Sequence, residues 1–140
     1  MDSLAVNVVT TVGASNVRFG IYNWIAPTNL YPGSLLVDCG QFDSSTSGPK
    51  VTNLVTTVRL QPGRIYWAVT EGSAAIALKS AGSANGFPIM GMNTNWTMNI
   101  ALEIVGVGFG ALPSTLPLTS TIWQNSSATA HIIAARFNAP

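Results

Sequence analysis

The chain is short of charge. Six Lys/Arg and five Asp/Glu make up 8% of its 140 residues, where a globular domain usually carries roughly a quarter. Net charge is +1, and Arg18, Lys50, Arg59, Arg64, Lys79 and Arg136 are scattered. Nucleic-acid binding needs a concentrated positive surface, so no nucleic-acid partner is expected. Cysteine occurs once, as Cys39, so no internal disulfide can form. Histidine also occurs once, as His131. A closed zinc site needs about four ligands, so one chain is expected to hold no metal or cofactor. Only a symmetric oligomer could gather three copies of His131 on an axis.

Long unbroken apolar runs are missing too. Glu103 to Arg136 has no formal charge between its ends, but Gly106, Gly108, Gly110, Pro113 and Pro117 interrupt it. A spanning helix needs about 20 mostly apolar residues, so no membrane insertion is expected. The start, Met-Asp-Ser, lacks the basic region and apolar core of a secretory signal. The sequons at Asn95 and Asn125 are therefore read as chance matches.

Catalytic patterns are equally scarce. "GVGFG" (106–110) follows a predicted strand, but "ALPSTLPL" cannot open the helix that phosphate binding requires. There is no G-x-S-x-G elbow, and a nucleophile–base pair would have to join His131 to Cys39 or a serine. Paired carboxylates would come from Asp2, Asp38, Asp43, Glu71 and Glu103, with nothing to place two across a sugar. Asp38 and Asp43 flank "CGQF", read as a turn in which each bonds its own backbone. The chain is not expected to be an enzyme.

What is present is apolar. Hydrophobic residues reach 47% and mean hydropathy is +0.35. With few charges to cover a small domain, some apolar surface must stay exposed, and large patches of that kind mark interaction surfaces. The hydrophobic period is two. Leu4, Val6 and Val8 share a face, as do Val17, Phe19 and Ile21; Leu54, Val58 and Leu60; Ile65, Trp67 and Val69; and Met98, Ile100, Leu102 and Ile104. A last strand lies near His131–Phe137. Turns are expected at Pro32-Gly33, Gly48-Pro49, Pro62-Gly63, Asn85-Gly86 and Leu112-Pro113. "LQPGRIYW" reads as a hairpin around a type II turn. Residues 72–82 read as a short strand rather than a helix. The prediction is one all-β domain over residues 1–140, an antiparallel sandwich, jelly-roll-like, of about eight short strands.

Trp24, Tyr31, Phe87 and Trp96 fall in or beside predicted loops near Asn and Thr. Such aromatics cap a core, enter protein interfaces, or stack on sugars.

Four motifs in order are more specific: "VRFGIYN", "YPGSLLVDCGQ", "LQPGRIYWAVT" and "GALPSTLP" before a final β run ending "AARF". Together they resemble a β-sandwich module of tailed-bacteriophage virion proteins, found at tail-fibre C-termini and on particle surfaces. The resemblance spans nearly the whole chain. It implies a virion structural protein made in the host cytoplasm and displayed on the particle surface. The expected form is a homotrimeric capsid decoration or cement protein, because a chain this short leaves no room for a fibre's stalk and anchor. The alternative is the tip of a tail fibre or tail spike that binds a host surface glycan or protein. Trp24, Tyr31, Phe87 and Trp96 are then the binding residues. Arg18, opposite Phe19 and Ile21 in the family pattern, is expected to bridge loop carbonyls or pair with a carboxylate such as Asp38. Modules of this type usually have one more strand before Leu4, so either the sandwich is one strand short or a neighbouring chain is expected to supply the missing pairing at an open edge.

Overall fold

The computed structural model describes residues 1–24, 32–62, 64, 66–82, 101–104, 108–116, 123–126, 129–131 and 133–137. These residues form an all-β, antiparallel structure with no helix among them. Its strands are β1 (Ser3–Thr10), β2 (Asn16–Trp24), β3 (Pro32–Asp43), β4 (Gly48–Asn53), β5 (Tyr66–Gly72), β6 (Ala77–Leu78), β7 (Ser80–Gly82), β8 (Ala101–Ile104), β9 (Trp123–Ser126), β10 (Thr129–His131) and β11 (Ile133–Arg136). One sheet has the order β11-β1-β4, with β6 also on β1; a second has the order β3-β2-β5. The pairs β8/β9 and β7/β10 complete the ladders.

The two larger sheets pack as a sandwich, and alternation explains why. Leu4, Val6 and Val8 of β1 are at most 2% exposed, and Val17 and Phe19 of β2 are fully buried. These residues form one cluster with Ile21, Cys39 and Leu78. Phe42 stacks on Phe19 with ring centroids 5.1 Å apart. Each side chain buried in this way contributes about 1.5–3 kcal/mol.

Several expected turns and strands differ. Pro32-Gly33 opens β3 and Gly48-Pro49 opens β4. Proline is tolerated at a strand's first residues because no ladder N–H is required of it there. Asp38 and Asp43 lie within β3 rather than in a turn, but each accepts from the backbone two residues on, Asp38 from Gly40 N and Asp43 from Ser45 N. The expected strand through Leu54, Val58 and Leu60 does not form. Leu54 N donates to Asp2 O and Val58 N to Met1 O, so among the described residues this stretch bonds to the first two residues rather than to a strand, and Val55 is fully exposed. The Pro62 turn does close, with Arg64 N donating to Gln61 O at 3.4 Å, but a strand follows on one side only. Residues 77–78 and 80–82 are strands, within the 72–82 stretch read as a short strand. Asn85-Gly86 and residues 97–100 lie outside the described residues.

The chain crosses between the sheets through Val12–Ser15. Ser15 N donates to Val12 O at 3.3 Å, and Ala14 takes a left-handed φ of 54°. Glycine adopts that conformation without penalty, whereas alanine costs about 1–2 kcal/mol. Ala14→Gly is therefore expected to raise unfolding stability by about 0.5–1 kcal/mol once the glycine's extra unfolded-state entropy is deducted. Chemical denaturation measures it, and a loss of stability would contradict the strain.

Candidate functional site

The most organised polar constellation lies on the outer face of the β3-β2-β5 sheet, away from the core. Because Val17, Phe19 and Ile21 point inward, Arg18, Gly20 and Tyr22 point outward. The β5 register sets Glu71 beside Arg18, Val69 beside Gly20 and Trp67 beside Tyr22. On β3 the matching face depends on a bulge. Arg18 pairs with Gln41, yet Gly20 pairs with Asp38, so Cys39 and Gly40 together oppose Phe19. Gly40 supplies the positive φ of 83°. The extra residue keeps Val37, Cys39 and Phe42 all turned to the core while Asp38 and Gln41 face outward.

Asp38 is the hub of this face. Its Oδ1 accepts from Arg18 Nε at 2.9 Å and from Gly40 N at 2.9 Å; its Oδ2 accepts from Arg18 Nε at 3.0 Å and from Leu112 N at 3.2 Å. Burial pushes the carboxyl up. The hydrogen bonds from Arg18, Gly40 and Leu112, with the Arg18 charge, outweigh it and hold Asp38 below its ordinary 3.8.

Across this face runs the segment Gly108–Leu116. Gly110 N donates to Glu71 Oε2 at 3.4 Å. The Leu112 side chain lies over Gly20, where an added Cβ would stand 2.6 Å from Leu112 Cδ1 and press on the Val37 carbonyl. Tyr22 Oη donates to Pro113 O at 2.7 Å. Leu35 N donates to Ser114 O at 2.8 Å, Ser34 and Thr115 form a bridge, and Leu116 is 7% exposed. Burial, then the charges of Asp38 and Glu71, push the Tyr22 phenol up to about 12, so it stays a donor at neutral pH. Trp67 Nε1 is buried without a hydrogen-bond partner among the described residues, an arrangement costing about 1–3 kcal/mol.

The candidate binding aromatics are not gathered here. Trp24 ends β2, its backbone paired with Pro32. Tyr31, Phe87 and Trp96 lie outside the described residues. His131 is paired with Ser80 in the β10/β7 ladder. Cys39 is in the core, and burial, then the Asp38 charge, push its thiol up to about 12. A thiol held protonated is a poor nucleophile. Among the described residues no group of three or more His, Cys, Asp or Glu could hold a metal. Two open hollows, of 240 Å³ beside Met1, Asp2 and Val58 and of 360 Å³ beside Leu60 and Pro62, share Arg59.

Sequence reading singled out Arg18 with Asp38 as a partner and weighed Glu71 only as a catalytic carboxylate, but missed Gly20, Tyr22 and Leu112. The available signal was the i, i+2, i+4 spacing of Arg, Gly and Tyr, which puts a cation, a gap and a phenol in one row. The chain matches no protein-family profile, no curated protein and no solved structure.

Two outcomes follow from the hub. Arg18→Met removes a charge-assisted hydrogen bond from a carboxylate that is largely shielded from water. It is expected to cost about 1.5–3 kcal/mol in denaturant unfolding, and full retained stability would refute the role. Because Asp38's folded pKa is depressed, its contribution is complete above the unfolded value and is lost as pH falls below it, through the folded pKa. Unfolding stability of the wild type should therefore fall more steeply below pH ~4 than that of Asp38→Asn. Parallel curves would show that another carboxylate carries the acid response.

Proposed function

We propose that the chain is a non-enzymatic structural protein of a tailed-phage virion. It decorates the capsid as a homotrimer and cements neighbouring shell subunits. The four ordered motifs and the β-sandwich architecture support this reading. The observation that carries it is the outer face of the β11-β1-β4 sheet.

On that face the register aligns Ala134, Ala5 and Val51 in one row and Asn7 with Pro49 in the next. Val9 lies beyond them on the same parity. Val9 and Val51 are 54% and 51% exposed, and Ala134 and Pro49 are exposed as well. The opposite face of the sandwich is covered by Gly108–Leu116; this one presents methyl groups to water. Covering them on a shell supplies hydrophobic free energy without needing any charged partner. At the sheet's edge, β4 carries Pro49 and Lys50, residues that discourage indiscriminate strand pairing. Contacts made by several copies at once turn modest individual affinities into firm attachment. A ligand that binds only the assembled shell stabilises it by mass action.

Counting copies on purified particles tests the placement: hundreds are expected on a capsid, and a few tens or fewer would move the protein to the tail. Particles lacking it should release DNA at lower temperature, or under a low-salt challenge that complete particles survive, and unchanged robustness would overturn the cement role. Burying one valine is worth about 1.5 kcal/mol. Val51→Glu should therefore weaken attachment at least about tenfold per contact while leaving the fold intact.

A further inference from the structure

We infer that Gly108–Leu116 is a strap that lifts from the β3-β2-β5 sheet as one unit while the sandwich stays folded, with the Asp38 carboxylate as its catch. Its attachments differ in kind from those of the core. The main apolar cluster, built on β1, β2, β3 and β6, includes no strap residue. The strap joins the sheet through one bridge, Ser34 to Thr115, and through single hydrogen bonds to Glu71, Asp38, Tyr22 and Leu35. Its main apolar anchors are Leu112, seated over Gly20, and buried Leu116. Lifting it breaks those contacts and leaves both sheets' inner faces packed. Regions held by few apolar contacts open at lower free energy than the core.

The catch works because Asp38 ties three elements together. It accepts from Arg18 on β2, from Gly40 on β3 and from Leu112 on the strap. The strap has no titratable side chain of its own. The titratable or charged groups facing Asp38 are Arg18 and Tyr22 from β2 and Cys39 from β3, with Glu71 of β5 at the strap's other end. Opening uncovers Gly20 and Tyr22 and gives the sandwich a second accessible face. This device does not depend on the assembly role and is tested on the isolated chain.

Native-state amide hydrogen exchange at neutral pH reads it directly. The reporters are the amides of Gly110, Leu112 and Leu35, each bonded across the strap boundary. They are expected to share one protection level, lower than that of the β1 and β2 amides, with a weaker dependence on denaturant because little surface is exposed. In Asp38→Ala all three should exchange faster by a common factor of at least about ten, although Gly110 and Leu35 do not touch Asp38. Exchange of the reporters with the protection and denaturant dependence of the core would overturn the inference. So would acceleration of Leu112 alone. If Asp38→Ala does not fold, Tyr22→Phe removes one strap bond without touching the carboxylate. Common acceleration of the three amides supports the unit, and unchanged or separate rates overturn it.

Discussion

One extra residue in β3, at the first of three register shifts against β2, governs the polar face of this protein. Continued regularly from the Arg18–Gln41 pair, the ladder would set Cys39 opposite Gly20 and Asp38 opposite Ile21, turned toward the core. The bulge at Cys39–Gly40 shifts the register by one, and a one-residue shift exchanges every side chain between faces. Val37, Cys39 and Phe42 can then all turn inward, and the carboxylate arrives on the outer face beside Arg18. A charge that would have been costly in the core becomes the acceptor for a guanidinium and two backbone amides.

The sandwich is consequently asymmetric in how its outer faces are finished. One is closed by a strap fastened mainly through polar contacts, with leucine over glycine as the apolar element. The other keeps valine, alanine and proline in water, with Asn7, Asn53 and Arg136 in the rows beside them. With 8% charged residues, the chain has too few to cover both faces, and it concentrates ionic contacts where they organise backbone. The Arg136–Asp2 pair is the exception, tying β11 to the start of β1 at the surface. Exposed pairs of that type contribute little stability, so the pairing of β11 with β1 rests on its ladder and on the packing of Ile133.

Legibility from sequence followed the kind of signal available. The β1 and β2 faces were readable because three apolar residues at a strict period of two leave one arrangement with water on the far side. The run from Leu54 to Leu60 has the same period and no strand. Alternation states which side chains would share a face, but not whether a partner strand is free to pair. Pro-Gly and Gly-Pro misled in the opposite direction at Pro32 and Gly48. Local chemistry that suits a turn also suits the first residues of a strand. Arg18 was identifiable as a polar residue on the outer parity of β2. That Asp38, rather than loop carbonyls, receives it required the bulge, which displaces register without any change in composition.

Composition and periodicity by themselves determined that this chain is all-β, that the odd residues from Val17 to Ile21 are buried, and that little charge is available for its surface. Those are properties of single segments meeting water, and each segment carries them wherever it lies. The tertiary structure alone decided that residues 108–116 cross the face built by Arg18, Gly20 and Tyr22. A contact between positions about ninety apart in sequence depends on the path of every intervening strand, and no local pattern encodes that path.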